Sequence, residues 1–233
     1  MIDLHTHLLP NIDDGANSEE EAIVLTQLLT DQNVQVAVCT PHFYPSQMSL
    51  SDFLKARQEA MSLMKQSELL LITGSETSLH EYLFHYPDLS ELCIADTRYL
   101  LLEMPFTKHW DRKNYEYLNT LINYYNVIPL IAHIERYPAV KRKKMPIIRL
   151  IEMGCVLQLN TSSLLKSSTK RRAIHYLKMG FISVLGSDCH SVNERPPRIT
   201  EALDVINRTI GVDTVNKLIK NAERIILDEL IHI

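Results

Sequence analysis

The chain has 233 residues, 45% of them hydrophobic and 22% charged, with a formal net charge of -4. These values exclude a disordered tail, a collagen and a disulfide miniprotein, and the mildly acidic balance gives no electrostatic reason to bind nucleic acid. The length admits one domain or two small ones, and either buries enough surface to fold without staples.

The N-terminal Met1-Ile2-Asp3-Leu4-His5 lacks the basic and apolar regions of a secretory signal, so a cytoplasmic protein is expected. Short β-branched or aliphatic runs then recur near Ile2, Val34, Leu69, Tyr99, Val127, Val156 and Ile182, which makes seven candidate strands. Helical patterns fill the intervals. Ser18 and Glu21 are spaced as a capping box ahead of Ala22, Leu25 and Leu29, and Phe53 to Met64 repeats the amphipathic spacing. Such alternation predicts an α/β fold with a parallel sheet, either a barrel or doubly wound. The run Val127 to Ala132, apolar on consecutive positions, suits a strand covered on both faces, although Pro129 removes an amide from the early part of its ladder. The longest aliphatic runs, Leu69 to Ile72 and Tyr99 to Leu102, fall far short of the roughly 20 apolar residues that span a bilayer, so no membrane insertion is expected. Cys39, Cys93, Cys155 and Cys189 form no C-x-x-C pair and read as small core residues. No Gly/Ser-rich linker divides the chain, so residues 1–233 read as a single domain. Its end, from Arg198 to Ile233, reads as outer helices with Gly211 as a helix stop.

The residues that follow each strand carry the chemistry. His5 and His7 follow the first, with Asp14 shortly after; Thr40-Pro41-His42 follows the second, Gly74-Ser75-Glu76 the third and Glu103 the fourth. His133 follows the fifth, with Arg136 three residues on, Asn160 the sixth, and Ser187-Asp188-Cys189-His190 the seventh. In a parallel barrel all strand C-termini open on one face, so these groups converge. The period-two geometry of a strand also sends both imidazoles of His5-x-His7 to one side. One metal ion needs three or four protein ligands. His5, His7, Asp14, His42, Glu76, Glu103, His133, Asp188 and His190 therefore point to two or three ions with a bridging carboxylate. The histidines at 80, 85, 109, 175 and 232 fall away from strand ends and read as ordinary surface or core residues, though His109 and Trp110 lie in a loop that could overhang the site.

Met1-Ile2-Asp3-Leu4-His5-Thr6-His7, Asp13-Asp14-Gly15, Thr40-Pro41-His42, Ala132 to Tyr137 and Gly186-Ser187-Asp188-Cys189-His190 resemble the PHP (polymerase and histidinol phosphatase) family over nearly the whole length. More narrowly, the chain resembles the bacterial manganese-dependent protein-tyrosine phosphatases of capsular and exopolysaccharide operons. That resemblance implies a distorted seven-stranded, TIM-like (β/α)7 barrel with three divalent ions, manganese first and iron or zinc as alternatives. His5, His7, Glu76 and Asp188 would hold one ion; Glu76 would bridge to a second held by Glu103 and His133; Asp14, His42 and His190 would hold the third. Arg136 and Arg195 match the phosphate-contacting arginines, and His42 joins them as a candidate catalytic residue. Clustered divalent ions acidify water and neutralise phosphate oxygens. The implied substrate is a phosphotyrosine protein, the tyrosine-rich C-terminal tail of a membrane-associated tyrosine autokinase.

Other readings compete. Cys189 to Arg195 fits the C-x5-R spacing of cysteine-dependent phosphatases, but the loop has no glycine to curl round phosphate, and adjacent Asp188 raises the thiol pKa. Cys189 is instead expected to point into packing by strand-like alternation. The same metals could serve a small phosphomonoester such as histidinol phosphate, or a non-catalytic metal-stabilised module, which the full ligand set disfavours. The basic residues from Arg136 to Arg149, including Lys141-Arg142-Lys143-Lys144, read as a solvated face that could also steer an acidic tail towards the metals.

Overall fold

Every strand pairing is parallel, as the alternation of strands and helices requires. The computed structural model describes residues 1–64, 67–141 and 143–231. Its strands are β1 (Ile2–Thr6), β2 (Val36–Cys39), β3 (His42–Phe43), β4 (Leu70–Thr73), β5 (Glu76–Ser78), β6 (Tyr99–Glu103), β7 (Ile128–Ile131), β8 (Val156–Asn160) and β9 (Val184–Gly186). They form two sheets, in the orders β1-β2-β4 and β3-β5-β6-β7-β8-β9.

The second and third expected strands are each broken in two. The break in the second falls at Thr40-Pro41, where proline has no amide to donate, and that in the third at Gly74-Ser75. The Glu76 amide then bonds the Pro41 carbonyl at 3.0 Å, and the upper halves, β3 and β5, join the other sheet. The first and last strands meet at their C-terminal ends: the Asp188 amide donates to the His5 carbonyl at 2.9 Å and the His7 amide to the Cys189 carbonyl at 3.0 Å. Pro129 is tolerated because the even-numbered amides, Ile128 and Ala132, face β6, while pairing with β8 begins only at Leu130.

Among the described residues seven α-helices cover the sheets: α1 (Glu19–Thr30), α2 (Leu50–Leu63), α3 (Arg112–Asn123), α4 (Met145–Glu152), α5 (Ser167–Lys178), α6 (Ile199–Thr209) and α7 (Val212–Ile226). Gly211, at φ 128°, turns the chain between α6 and α7. The capping box expected at α1 is half made. Ser18 Oγ accepts from the Glu21 amide at 3.2 Å, but the Glu21 carboxylate goes to the amides of Asn17 at 3.0 Å and Val192 at 3.2 Å. The reciprocal box occurs at α3, between Asp111 and Asn114. Leu4, Val38, Leu101, Leu130, Val156 and Val184, from six different strands, share one buried cluster with Ala222 and Ile225 of α7. Among the described residues, no helix is long and apolar enough to cross a membrane.

Candidate metal centre

The C-terminal ends of the strands bring the predicted donors together in three groups: His5, His7, Glu76 and Asp188; Glu76, Glu103 and His133; and His7, Asp14, His42 and His190. Within each, the donor atoms lie within 4.8 Å of one another. The first group lies on β1 and the residue just past it, on β5 and in the turn after β9. Nε2 of His5 stands 3.1 Å from Nε2 of His7 and 3.1 Å from Glu76 Oε2, with Asp188 Oδ1 3.4 Å away. The ladder from β1 to β2 changes register between Asp3 and Thr6, an irregularity that re-aims side chains where the strand reaches the site. In the second group, Glu76 Oε1 lies 2.6 Å and Glu103 Oε1 3.6 Å from His133 Nε2. In the third, Asp14 Oδ1 is 3.4 Å from Nε2 of both His42 and His190. Its Asp14 side chain is 67% exposed, which makes this group the open edge of the site.

His7 belongs geometrically to two groups, whereas the ligand set read from the sequence placed it in one. Its Nδ1 is engaged by Asp13 Oδ2 at 2.6 Å, so only the Nε2 lone pair remains and a single ion can take it.

The electrostatics favour cations. Glu76 is buried, yet His5 and His133 hold its pKa well below the usual carboxylate value. Asp188 is likewise depressed: burial works against its charge, but His5 and His7 outweigh it. For His7, burial is overcome by hydrogen bonds with Asp13 and Glu76, and the pKa rises to about 10. Burial, with His7 alongside, drives His190 down to about 3, and burial also lowers His42 and His133. Glu103 is pushed up to about 7 by burial and by Glu76. Buried carboxylates packed against imidazoles, three of them (His42, His133 and His190) held neutral by burial, form a donor set that fits divalent cations. Nε2 of His42 faces Asp14, while its buried Nδ1 lies 3.2 Å from Glu76 Oε2 without forming a hydrogen bond.

Asp188 Oδ2 faces away from the imidazoles and meets both predicted arginines, Arg195 Nη2 at 2.7 Å and Arg136 Nη1 at 3.3 Å. Arg136 follows His133 in a single 3-10 turn, Ile134–Arg136. Arg195 returns because its carbonyl accepts from the His190 amide at 3.0 Å, and the Val192 amide anchors the loop to Glu21. Asn160 Nδ2 also donates to Asp188 Oδ2. Two proposed ligands sit in the left-handed backbone region, His133 at φ 33° and Asp188 at φ 53°, a conformation that non-glycine residues adopt mainly where surrounding structure enforces it.

Cys189 is fully buried in a hydrophobic cluster with Leu8, Leu25 and Cys39. Burial raises its thiol pKa, with the Asp3 charge adding to the effect. Strand alternation is not the cause of its orientation, however: β9 has ended at Gly186, and the left-handed turn at Asp188 sends the two side chains apart. Trp110 is also core, its Nε1 donating to the Pro105 carbonyl at 2.9 Å, while His109 is exposed. The histidines at 80, 85, 109 and 175 join none of the donor groups, and His232 lies outside the described residues. Lys141, Lys143 and Lys144 are exposed, and Arg142 lies outside the described residues.

Several contributing residues lie outside the ligand set read from the sequence, although Asp13, Gly15 and Gly186 stand inside the quoted motifs. Asp13 fixes His7 and also accepts from the amides of His42 at 3.0 Å and Gly15 at 2.9 Å. Gln158 Oε1 accepts from the His133 amide at 2.6 Å, and its Nε2 donates to Asn160 at 2.9 Å. A Cβ at Gly15 would stand 2.6 Å from Cβ of His7, and one at Gly186 would stand 2.7 Å from Cβ of His5, so both histidines need a glycine beside them. Phe106 is 47% exposed, with its ring centroid 5.9 Å from that of His133 and 5.5 Å from the Arg136 guanidinium carbon. It offers an aromatic wall at the site.

Residues 1–227 match the family described as capsular polysaccharide synthesis, CpsB/CapC. The chain is 30% identical to the tyrosine-protein phosphatase CpsB of Streptococcus pneumoniae, covering 99% of this chain and 100% of that one. It is 28% identical to the tyrosine-protein phosphatase YwqE of Bacillus subtilis, covering 99% and 93%. A solved structure from work on those two proteins, described as unique metal-dependent tyrosine phosphatases, superposes with a TM-score of 0.88 at 26% identity over 100% of this chain and 96% of that one. The lactonase Lmo2620 of Listeria monocytogenes superposes at 0.57 with 9% identity over 98% and 91%, so the fold extends well beyond phosphate chemistry. With a match that runs from the His5-x-His7 strand past the Asp188 turn and into the last helix, this chain belongs to the CpsB/CapC family of capsular polysaccharide synthesis.

Proposed function

We propose that this protein is a metal-dependent phosphatase that hydrolyses phosphotyrosine in proteins. The observation that carries the reading is the two-sided use of Asp188: Oδ1 faces the imidazole donors while Oδ2 holds Arg136 and Arg195. A phosphate lying along that boundary meets cationic groups on both sides.

Divalent ions held by the donor groups would supply water acidified towards neutrality and positive charge against the phosphate oxygens. The partition we favour is three ions: one at His5, His7, Glu76 and Asp188; one at Glu76, Glu103 and His133; and one at Asp14, His42 and His190. Nitrogen and oxygen donors with no thiolate favour manganese, iron or zinc. The chain's own residues do the rest. Arg136 and Arg195 present planar forks that bind two phosphate oxygens apiece and gain strength as charge builds on them. Their contact with Asp188 holds them in place before substrate arrives. The phenolate leaving group, from a phenol of pKa about 10, departs with little acid assistance, so no dedicated acid is needed, and His42 at the open edge serves as a metal ligand. Phe106 supplies a surface for the aryl ring next to Arg136.

The relatives' names support the phosphotyrosine substrate, and the family's place in capsule synthesis supports a tyrosine autokinase tail as its source. We read residues 1–233 as one domain and the curled sheets as a distorted seven-stranded barrel. The hydrogen bonds between the end of β1 and the turn after β9 support that closure. Four free buried cysteines suit the reducing cytoplasm.

The test is turnover of a phosphotyrosine peptide against histidinol phosphate in the presence of manganese, before and after chelation. Preference for the peptide, lost on chelation and restored by metal, is expected. Preference for histidinol phosphate would assign the site to small phosphomonoesters, and full turnover by rigorously metal-free protein would refute the mechanism.

A further inference from the structure

The cleft beside Asp188 holds more space and more charge than one phosphate uses. Its volume is about 490 Å3, within the roughly 300–1,000 Å3 of sites that take a whole small ligand. Arg136 and Arg195 form the part that meets Asp188. Lys166 and Arg198 line the same cleft, yet neither pairs with any proposed metal ligand. Lys166 is exposed and makes no ion pair among the described residues. Among the described residues Arg198 pairs with Glu201 alone, an exposed partner three residues along α6, an arrangement that a stronger anion displaces at small cost. The lining carries four cationic side chains against two carboxylates, Asp188 and Glu194, and Asp188 is already committed to the site. Ser162, Thr169 and Asn193 add neutral hydrogen-bonding groups. A concave surface with excess positive charge concentrates field lines and selects anions.

We infer that this cleft binds a second anionic group of the substrate chain, a carboxylate or a phosphate carried near the scissile phosphotyrosine. The inference rests on the phosphotyrosine reading above and adds a preference to it: the protein acts best on acidic or multiply phosphorylated segments. Lys166 and Arg198 set that preference, whereas Arg136 and Arg195 serve the reacting phosphate.

The manganese-loaded protein is assayed on para-nitrophenyl phosphate and on three peptides around one phosphotyrosine, flanked by glutamines, by glutamates or by a second phosphotyrosine. The KM of at least one anionic peptide should fall roughly 5- to 10-fold below that of the glutamine peptide, and the advantage should shrink in 0.5 M salt. The glutamate and diphosphorylated arms show whether carboxylate, phosphate or both are read. In the double variant Lys166→Ala, Arg198→Ala the anionic peptides should rise to the KM of the glutamine peptide, with kcat and para-nitrophenyl phosphate turnover within about twofold of wild type. Equal KM for all three peptides on the wild-type protein overturns the inference, as does a double variant that weakens the glutamine peptide equally. Failure of the wild type to hydrolyse para-nitrophenyl phosphate at all would instead bring down the underlying phosphatase reading.

Discussion

Glu76→Gln removes one negative charge and almost no volume from the point where four imidazoles meet. The Glu76 carboxylate lies 2.6 Å from His133, 3.1 Å from His5, 3.2 Å from His42 and 3.3 Å from His7. It belongs to two of the three donor groups, so its loss should weaken two ions together and leave the Asp14, His42 and His190 group intact. Losing a group that only orients a ligand costs about 10- to 100-fold in metal affinity. Loss of a charged ligand should therefore cost at least about 100-fold at each of its two ions, or roughly 2.7 kcal/mol apiece. Metal bound to the folded state stabilises it through mass action. At about 2–4 °C per kcal/mol for a chain of this size, the manganese-induced rise in Tm should shrink by roughly 5–10 °C per ion lost. Elemental analysis after dialysis gives the stoichiometry, and thermal melts with and without manganese give the second readout. His190→Ala is the control, because it should release only the ion at the open edge. A Glu76→Gln protein that keeps wild-type stoichiometry and the full manganese-induced rise in Tm would refute the bridging role.

Arg136→Ala and Arg195→Ala should each keep the wild-type metal content but lose roughly 100- to 1,000-fold in turnover, as removal of other preorganised oxyanion donors does; kinetics on fully metallated protein within a few-fold of wild type would assign the residue to structure. Phe106→Ala should raise KM for phosphotyrosine and para-nitrophenyl phosphate about 3- to 10-fold while leaving alkyl phosphates unchanged, since one aromatic contact is worth about 0.5–1.5 kcal/mol; equal effects on aryl and alkyl esters would refute the wall. Cys189→Ser should retain at least about a tenth of wild-type turnover, the loss coming from a buried hydroxyl without a partner, and inactivity of folded, metallated protein would reinstate the thiol. The native protein should also resist alkylation at pH 8, because burial pushes the thiols of Cys39, Cys93 and Cys155 up to about 12 and raises Cys189 as well; mass spectrometry should show four adducts only after unfolding.

The parallel architecture was legible because βα alternation is a local pattern: each run of β-branched or aliphatic residues is followed by a helix long enough to cross back, except the third, where only the 3-10 turns Glu81–His85 and Ser90–Leu92 lie before β6. The breaks in the second and third strands were not legible in the same way. Pro41 marks one of them, but which sheet β3 joins depends on the Glu76 amide reaching the Pro41 carbonyl from 35 positions along the chain. The α1 cap shows the same limit at smaller scale. The spacing of Ser18 and Glu21 permits a reciprocal box, yet Glu21 finds the Val192 amide, a partner 171 residues away, and the box opens.

The donors were legible for a different reason. Histidine and carboxylate side chains directly after apolar strands are chemically conspicuous, and a parallel sheet sends every such position to one edge. The roles of their supports were not: Asp13, Gly15 and Gly186 stand in the quoted motifs and Gln158 in none, but all four act only through distances to His7, His133 and His5. The partition among ions is likewise a property of distance: His7 has one free nitrogen and two groups within reach. These supports share an origin, since the segment after β9 lies against the end of β1, and the Asp188 amide bonds the carbonyl of His5 itself. Closing the first strand onto the last is therefore the same event as assembling His5, His7 and Asp188. That contact spans 183 positions and forms late in any order of folding that favours short loops. In the proposed site, cations bound to the assembled donors would act as a clasp on the two ends of the sheet and link metal affinity to stability of the closed fold. Gly186, which has no side chain to offer as a donor, is held to glycine by the same closure, because any side chain there would press on His5 and hold the last strand away from the first.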